Sequence, residues 1–118
     1  MTDDTYDLGA RVMAHLRTLE ASGTPGLAAQ VADMFLRDTR ARLSVMREAI
    51  AACDVETLRR VAHTLQGSAA MVGAASVAAR CTEMSRSAGA GSFDRCETLV
   101  TELDAALAAI ERAVASAD

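Results

Sequence analysis

Proline, lysine and aromatic residues are almost absent from this 118-residue sequence. It has a single proline (Pro25), no lysine and no tryptophan, and its aromatic residues are Tyr6, Phe35 and Phe93 alone. A core must therefore be built from aliphatic side chains and alanine, the residue with the highest helix propensity. Alternation with a period of two residues is also missing, which argues against β-strands. The composition and length favour one all-α domain spanning residues 1–118.

Membrane and nucleic-acid binding have no support in the sequence. No run of apolar residues approaches the ~18 that a membrane-spanning helix needs, and residues 1–7 are polar and acidic, unlike a signal peptide. The basic residues are all arginine, are not interleaved with aromatics, and leave a net charge of −4. We therefore expect a soluble, cytoplasmic protein.

Disulfides and metal ions are not expected to support the fold. Cys53, Cys81 and Cys96 are widely spaced and odd in number, which predicts reduced, buried thiols. The only histidines are His15 and His63, on different predicted helices, and no cysteine or carboxylate accompanies His15 at ligand spacing. The sequence predicts no metal site and no cofactor, with His15 at the surface or the boundary of the core.

Apolar residues recur at spacings of three and four along five segments, which predicts five amphipathic helices. The predicted stripes are Leu8, Val12, Leu16 and Leu19; Leu27, Val31, Phe35, Leu43, Met46 and Ile50; Leu58, Val61, Leu65, Ala69 and Val72; Val77, Cys81, Met84 and Ala88; and Cys96, Leu99, Leu103, Leu107, Ile110 and Val114. Short connections favour antiparallel neighbours. We expect an up-and-down four-helix bundle from about residue 24 to 116, with an N-terminal helix at about 7–20 across one end.

Capping residues mark the predicted helix ends. Thr24 is expected to cap the second helix, with Pro25 at its first position. Asp54 and Ser92 can cap the third and fifth helices, because short polar side chains accept hydrogen bonds from the free N–H groups of the first turn. Gly73 stands where a left-handed residue would end the third helix.

His63 points away from the core on a wheel of the third helix. The apolar stripe of this helix is centred about 180° from His63, at 100° per residue. One bundle cannot bury both faces, so a core histidine is excluded and a solvated or a reactive one remains. Gly67 and Ala70 follow on the side of His63 and form a flat patch that suits docking of another protein. These features favour a functional His63.

Residues 63–74, H-T-L-Q-G-S-A-A-M-V-G-A, resemble the signature of histidine-containing phosphotransfer (HPt) domains, A-H-x-L-K-G-S/A-A-x-x-L/I/V-G-A. The resemblance extends to residues 34–43, 54–63 and 77–84, and so covers most of 24–110. It implies a carrier without kinase or phosphatase activity, acting in multistep phosphorelays. The partners would be receiver domains of response regulators or hybrid histidine kinases. A monomer is expected.

The resemblance also implies the roles of individual residues. Nε2 of His63 would accept the phosphoryl group from a receiver aspartate and pass it to another receiver, with the required Mg²⁺ bound by the receiver. Gly67 would leave room for the receiver, and Ser68, at the edge of the core, would be structural.

Position 66 departs from the family pattern, which has lysine where this sequence has Gln66. Glutamine supplies an amide N–H donor but no charge, so it can orient a phosphoryl group while neutralising it less. Arg59 and Arg60, one turn before His63, or Arg80 on the next helix could compensate.

Three other classes of helical protein could account for a histidine displayed on a helical bundle. Sensor-kinase dimerisation domains place an acidic residue directly after the histidine and a proline shortly beyond it, whereas Thr64 follows here and no proline does. Chemotaxis-kinase phosphotransfer domains are closer in fold, but normally continue into further domains. A helical adaptor that binds a partner without phosphotransfer remains an alternative.

Overall fold

The structure, a computed structural model, describes residues 4–21 and 23–116, with side chains from residue 8 onward. These residues form five helices: α1 (Asp4–Glu20), α2 (Leu27–Ala51), α3 (Val55–Met71), α4 (Ala75–Gly89) and α5 (Phe93–Ser116). No strand occurs in the described parts of the chain. The predicted all-α class is confirmed.

Helices α2 to α5 pack around one aliphatic core. Residues 52–54, 72–74 and 90–92 alone join them, so each helix reverses direction against the one before it. Helix α2 packs on α3 and α5, and α4 packs on the same two helices. The largest fully buried side chains come from all five helices: Leu8, Val12, Leu16, Leu43, Met46, Leu58, Leu65, Met84, Leu99, Leu103, Leu107 and Ile110. The stripes predicted from spacing therefore form the core.

Helix α1 closes the end of the bundle where α3 and α5 finish. Gly9 lies against α5, where an added Cβ would come 2.5 Å from the carbonyl oxygen of Ala109. Nε2 of His15 lies 3.1 Å from the carbonyl oxygen of Met71, in the last turn of α3. The N-terminal helix thus packs on α5 and is joined by this hydrogen bond to the last turn of the helix that carries His63.

The ends of α3 follow the predicted signals. The Asp54 carboxylate accepts hydrogen bonds from the backbone N–H of Thr57 (3.1 Å) and from its hydroxyl (2.7 Å). These bonds hold the pKa of Asp54 below its ordinary value. At the other end Gly73 has φ 77°, and the N–H of Ala74 donates to Ala69 O at 2.8 Å. That is the left-handed glycine ending expected there, so both caps are confirmed.

The start of α2 differs from the prediction. The helix begins at Leu27, and its N-cap is Gly26 in the left-handed conformation (φ 84°), with no side-chain cap. Thr24 and Pro25 instead belong to a turn in which the N–H of Leu27 donates to Thr24 O at 3.1 Å. The expectation that Thr24 caps α2 is wrong, because the left-handed glycine after Pro25 delays helical geometry. Helix α1 also begins earlier than predicted, at Asp4.

Two apolar positions are more exposed than expected. Leu19 is 47% exposed, although it was placed on the apolar stripe of α1. Cys53 is exposed in the α2–α3 turn at φ 53°, while Cys81 and Cys96 are buried, and all three are free thiols. Burial raises the pKa of Cys81 to about 12, so this thiol stays protonated and unreactive.

No helix in the described part of the chain is long and apolar enough to cross a membrane.

Candidate functional site

His63 lies in the middle of α3 with its side chain exposed. The opposite face of the helix is completely buried, at Leu58, Ala62, Leu65 and Ala69. The side chain therefore points where the helical wheel predicts. Within the described residues, no group hydrogen-bonds to the imidazole ring, so its nitrogens face solvent.

A polar groove separates α3 from α4 beside His63. We call it the α3–α4 groove, and its lining is Arg59, Arg60, His63 and Gln66 from α3 with Thr82 and Ser85 from α4. Gln66 and Ser85 are half-buried, and the other lining residues are exposed. None of the lining residues is acidic, so the groove offers hydrogen-bond donors and positive charge beside the imidazole.

The two arginines in this groove are not held by carboxylates. Six arginines elsewhere pair with acidic side chains: Arg37, Arg40, Arg42, Arg47, Arg80 and Arg95. In the described residues no carboxylate lies within 4.0 Å of Arg59 or Arg60. Nη1 of Arg59 lies at the end of α4, 3.8 Å from the place of a Cβ at Gly89, and Arg60 helps lower the pKa of Asp54. Both guanidinium groups remain available to an anion.

Arg80 does not line the groove. The expectation that its charge could compensate for the lysine missing at position 66 is therefore wrong. Its Nε donates to Glu102 Oε1 at 3.1 Å, and its Nη1 donates to the Ser76 carbonyl at 3.3 Å and to the Ser76 hydroxyl. The side chain is drawn toward α5, because a carboxylate is available there.

An apolar groove lies on the other side of α3, toward α2. This α2–α3 groove is lined by Val31, Met34, Phe35, Asp38, Ser68, Met71 and Val72. Met34 and Met71 are 64% and 78% exposed. The Ser68 hydroxyl donates to Thr64 O at 3.3 Å, in keeping with a structural role. The face around His63 is therefore polar toward α4 and apolar toward α2.

Gly67 has open space where a side chain would stand. No atom lies within 4 Å of a Cβ built at this position, and neighbouring Ala70 is exposed. Gly73 is different, because it combines φ +77° with a contact of 2.9 Å between an added Cβ and the His15 ring. Packing thus requires glycine at 73, whereas nothing in the described part of the protein requires it at 67.

Thr82 and Ser85 are the groove residues that sequence analysis missed. A helical wheel shows which residues share a face of one helix. It does not show which residues of the neighbouring helix lie opposite them. The only signal in the sequence was that both are polar and lie beside the apolar stripe of α4. No cluster of three or more potential metal ligands occurs in the described residues.

Comparisons with known proteins agree with this geometry. The structure is similar to the crystal structure of histidine-containing phosphotransfer protein B (HptB) from Pseudomonas aeruginosa PAO1, with a TM-score of 0.77 and 27% sequence identity. The match covers 92% of this chain and 91% of HptB. A search of curated proteins finds no significant match. The family model of the Hpt domain matches residues 30–113, well over half of the sequence, and this chain therefore belongs to the Hpt domain family.

Proposed function

We propose that His63 is the residue on which this Hpt domain carries a phosphoryl group. Histidine phosphotransfer in two-component phosphorelays is the function of the family to which the chain belongs. The observation that supports His63 is its exposed imidazole beside two arginines free of carboxylate partners. His15, the other histidine, is hydrogen-bonded to Met71 O in the packing of α1.

The transfer would proceed by direct attack of the imidazole on an aspartyl phosphate of a receiver domain. The lone pair of Nε2 forms the N–P bond while the P–O bond to aspartate breaks, and the aspartate leaves as a carboxylate. The ring must be neutral, with its proton on Nδ1, since a protonated ring has no lone pair to donate. The same step in reverse would deliver the phosphoryl group to a second receiver.

The residues around His63 could neutralise and hydrogen-bond the negatively charged phosphoryl group that this step transfers. A phosphoryl group adds roughly two negative charges at neutral pH. Arg59 and Arg60 would neutralise part of that charge, and the amide of Gln66 would donate a hydrogen bond to a phosphoryl oxygen. Gly67 and Ala70 would leave the surface low enough for the receiver to approach. No residue that lines the groove carries a carboxylate, so Mg²⁺ would be bound by the receiver rather than by this chain.

The proposal extends to the partners of this protein and to its organisation as one domain. The partners would be receiver domains of response regulators or hybrid histidine kinases, and the chain would carry the phosphoryl group without kinase or phosphatase activity of its own. Residues 1–118 would act as one domain, a cytoplasmic monomer in which α1 supports the bundle.

Transfer from a panel of labelled, phosphorylated receiver domains tests the proposal. The wild-type protein should acquire an acid-labile label from at least one receiver, and His63→Gln should acquire none while remaining folded. His15→Gln is the matched control and should be labelled normally. A helical adaptor would bind a receiver without being labelled, so binding without label would favour that alternative.

A further inference from the structure

Ser85 is a half-buried serine on α4 that faces His63 across the α3–α4 groove. Its hydroxyl has no hydrogen-bond partner among the described residues. Three neighbouring hydroxyls, those of Thr64, Ser68 and Thr82, each donate to the backbone carbonyl four residues earlier. That bond is the usual one for a hydroxyl within a helix. The Ser85 donor is therefore uncommitted, unlike that of Thr82 beside it.

No anionic side chain lines the groove to accept a hydrogen bond from Ser85. Its other lining residues are two arginines, Gln66, Thr82 and His63, and no carboxylate. Gln66 is half-buried as well, and its amide has no hydrogen-bond partner in the described residues. Two uncommitted polar groups thus stand on opposite walls of the groove, one on α3 and one on α4. The polar atoms of both groups reach solvent, so water fills their hydrogen bonds until an anionic acceptor enters the groove.

The position of α4 relative to His63 is fixed by a tight turn. Residues 72–74 alone join α3 to α4, and Gly73 N–H donates to Ala70 O at 3.2 Å while Ala74 N–H donates to Ala69 O at 2.8 Å. The helices also share a continuous core through buried Cys81 and Met84. The hydroxyl of Ser85 is consequently held at the edge of the site rather than carried on a mobile loop.

We infer that the Ser85 hydroxyl donates a hydrogen bond to a phosphoryl oxygen of phospho-His63, which makes α4 part of the phosphoryl-binding site. This inference rests on the proposed function of His63. The bond forms only after phosphorylation, because the unmodified imidazole brings no anionic oxygen into the groove. Ser85 therefore stabilises the phosphorylated form relative to the free form, and it adds a neutral hydrogen-bond donor to that of Gln66.

The test is the equilibrium between phosphohistidine and phosphoaspartate. The probe is the receiver domain of the panel that labels wild-type protein fastest, mixed with each variant until the ratio of the two phosphoproteins is constant. Ser85→Ala should lower the ratio of phosphohistidine to phosphoaspartate by about three- to tenfold, as expected for the net loss of one hydrogen bond at a site where water can partly replace the hydroxyl. Ser85→Thr keeps the hydroxyl and should restore the ratio to within about twofold of wild type. The matched control is Ser87→Ala, which removes a half-buried hydroxyl of the same helix outside the groove.

The outcomes separate this role from a structural one and from failure of the proposed function. An unchanged ratio in Ser85→Ala, or an equal fall in Ser85→Ala and Ser87→Ala, overturns the role of Ser85 while leaving His63 as the acceptor. A fall that Ser85→Thr does not restore also overturns it. Wild-type protein that takes no label from any receiver overturns the proposed function, and the role of Ser85 with it.

Discussion

At the scale of single residues, position 66 bears most directly on how well the proposed site would neutralise a phosphoryl group. The family signature has lysine there, and Gln66 instead lies half-buried in the α3–α4 groove without a hydrogen-bond partner in the described residues. Arg59 and Arg60 bring the nearby positive charge from the preceding turn. In the proposed site, the positive charge thus lies one turn before His63 instead of one turn after it.

Gln66→Lys should move the phosphoryl equilibrium toward His63. A lysine at i+3 lies on the same side of the helix as the phosphohistidine, and an exposed ion pair is worth about 0.2–1 kcal/mol. We expect a two- to fivefold increase in the ratio of phosphohistidine to phosphoaspartate, since ~1.4 kcal/mol corresponds to tenfold. The increase should shrink at high salt, which screens exposed charges. An unchanged ratio at low salt would mean that Arg59 and Arg60 already supply the charge, or that residue 66 does not meet the phosphoryl group.

Gly67 is the residue whose identity the fold does not explain, because its Cβ position is empty. Gly67→Ala should stabilise the protein by up to about 1 kcal/mol, the difference in helix propensity, and should transfer normally. Gly67→Arg should fold as well as the wild-type protein but receive the phosphoryl group more slowly, because the long side chain would obstruct the receiver. Thermal melts and transfer rates of both variants provide the measurement. Wild-type rates in Gly67→Arg would contradict the role in clearance.

At the scale of helices, the sequence predicts which face of each helix is buried. It predicts less well where a helix begins and which residues of neighbouring helices lie opposite each other. The apolar stripes of α3 and α4 follow from periodicity, because burial selects one face of each helix. The start of α2 does not, since the left-handed conformation of Gly26 depends on the turn that Thr24 and Pro25 make with Leu27. Ser85 could not be placed beside His63 either, because that neighbourhood depends on how α3 and α4 align.

Thr39 on α2 is a buried polar residue that the packing leaves unsatisfied. It is 0% exposed, and its Oγ1 has no hydrogen-bond partner among the described residues. Thr39→Val keeps the branched shape and removes the unpaired hydroxyl, so it should raise the free energy of unfolding by about 1 kcal/mol. The measurement is the midpoint of urea unfolding at an unchanged slope. Thr98→Val, at an exposed threonine, is the control and should change stability by less than about 0.5 kcal/mol. A lower midpoint in Thr39→Val would show that Oγ1 has a partner.

At the scale of the whole molecule, the two histidines lie in different environments. His15 fastens α1 to the C-terminal end of α3 through Met71 O and packs against Gly73. His63 lies on the face of α3 opposite the buried stripe of that helix, exposed beside the α3–α4 groove. The fold holds one imidazole in the packing of α1 and leaves the other exposed to solvent.

His15→Ala should lower stability without affecting phosphotransfer. Loss of the 3.1 Å hydrogen bond to Met71 O should cost about 1 kcal/mol, the usual net value for one such bond. Thr18→Ala removes a hydroxyl of the same helix that bonds only within α1, and it serves as the control. Urea unfolding and transfer rates are measured side by side. A transfer defect at a temperature where His15→Ala is fully folded would contradict the separation of roles.

Locating the phosphoryl group on the labelled protein tests the central claim most directly. Wild-type protein phosphorylated by a receiver domain would be digested at neutral or alkaline pH, which preserves phosphohistidine, and the modified residue identified by tandem mass spectrometry. We predict a single phosphorylated residue, His63, with His15 unmodified. A phosphoryl group on His15, or on a serine or threonine of the groove such as Ser85 or Thr82, would contradict the account.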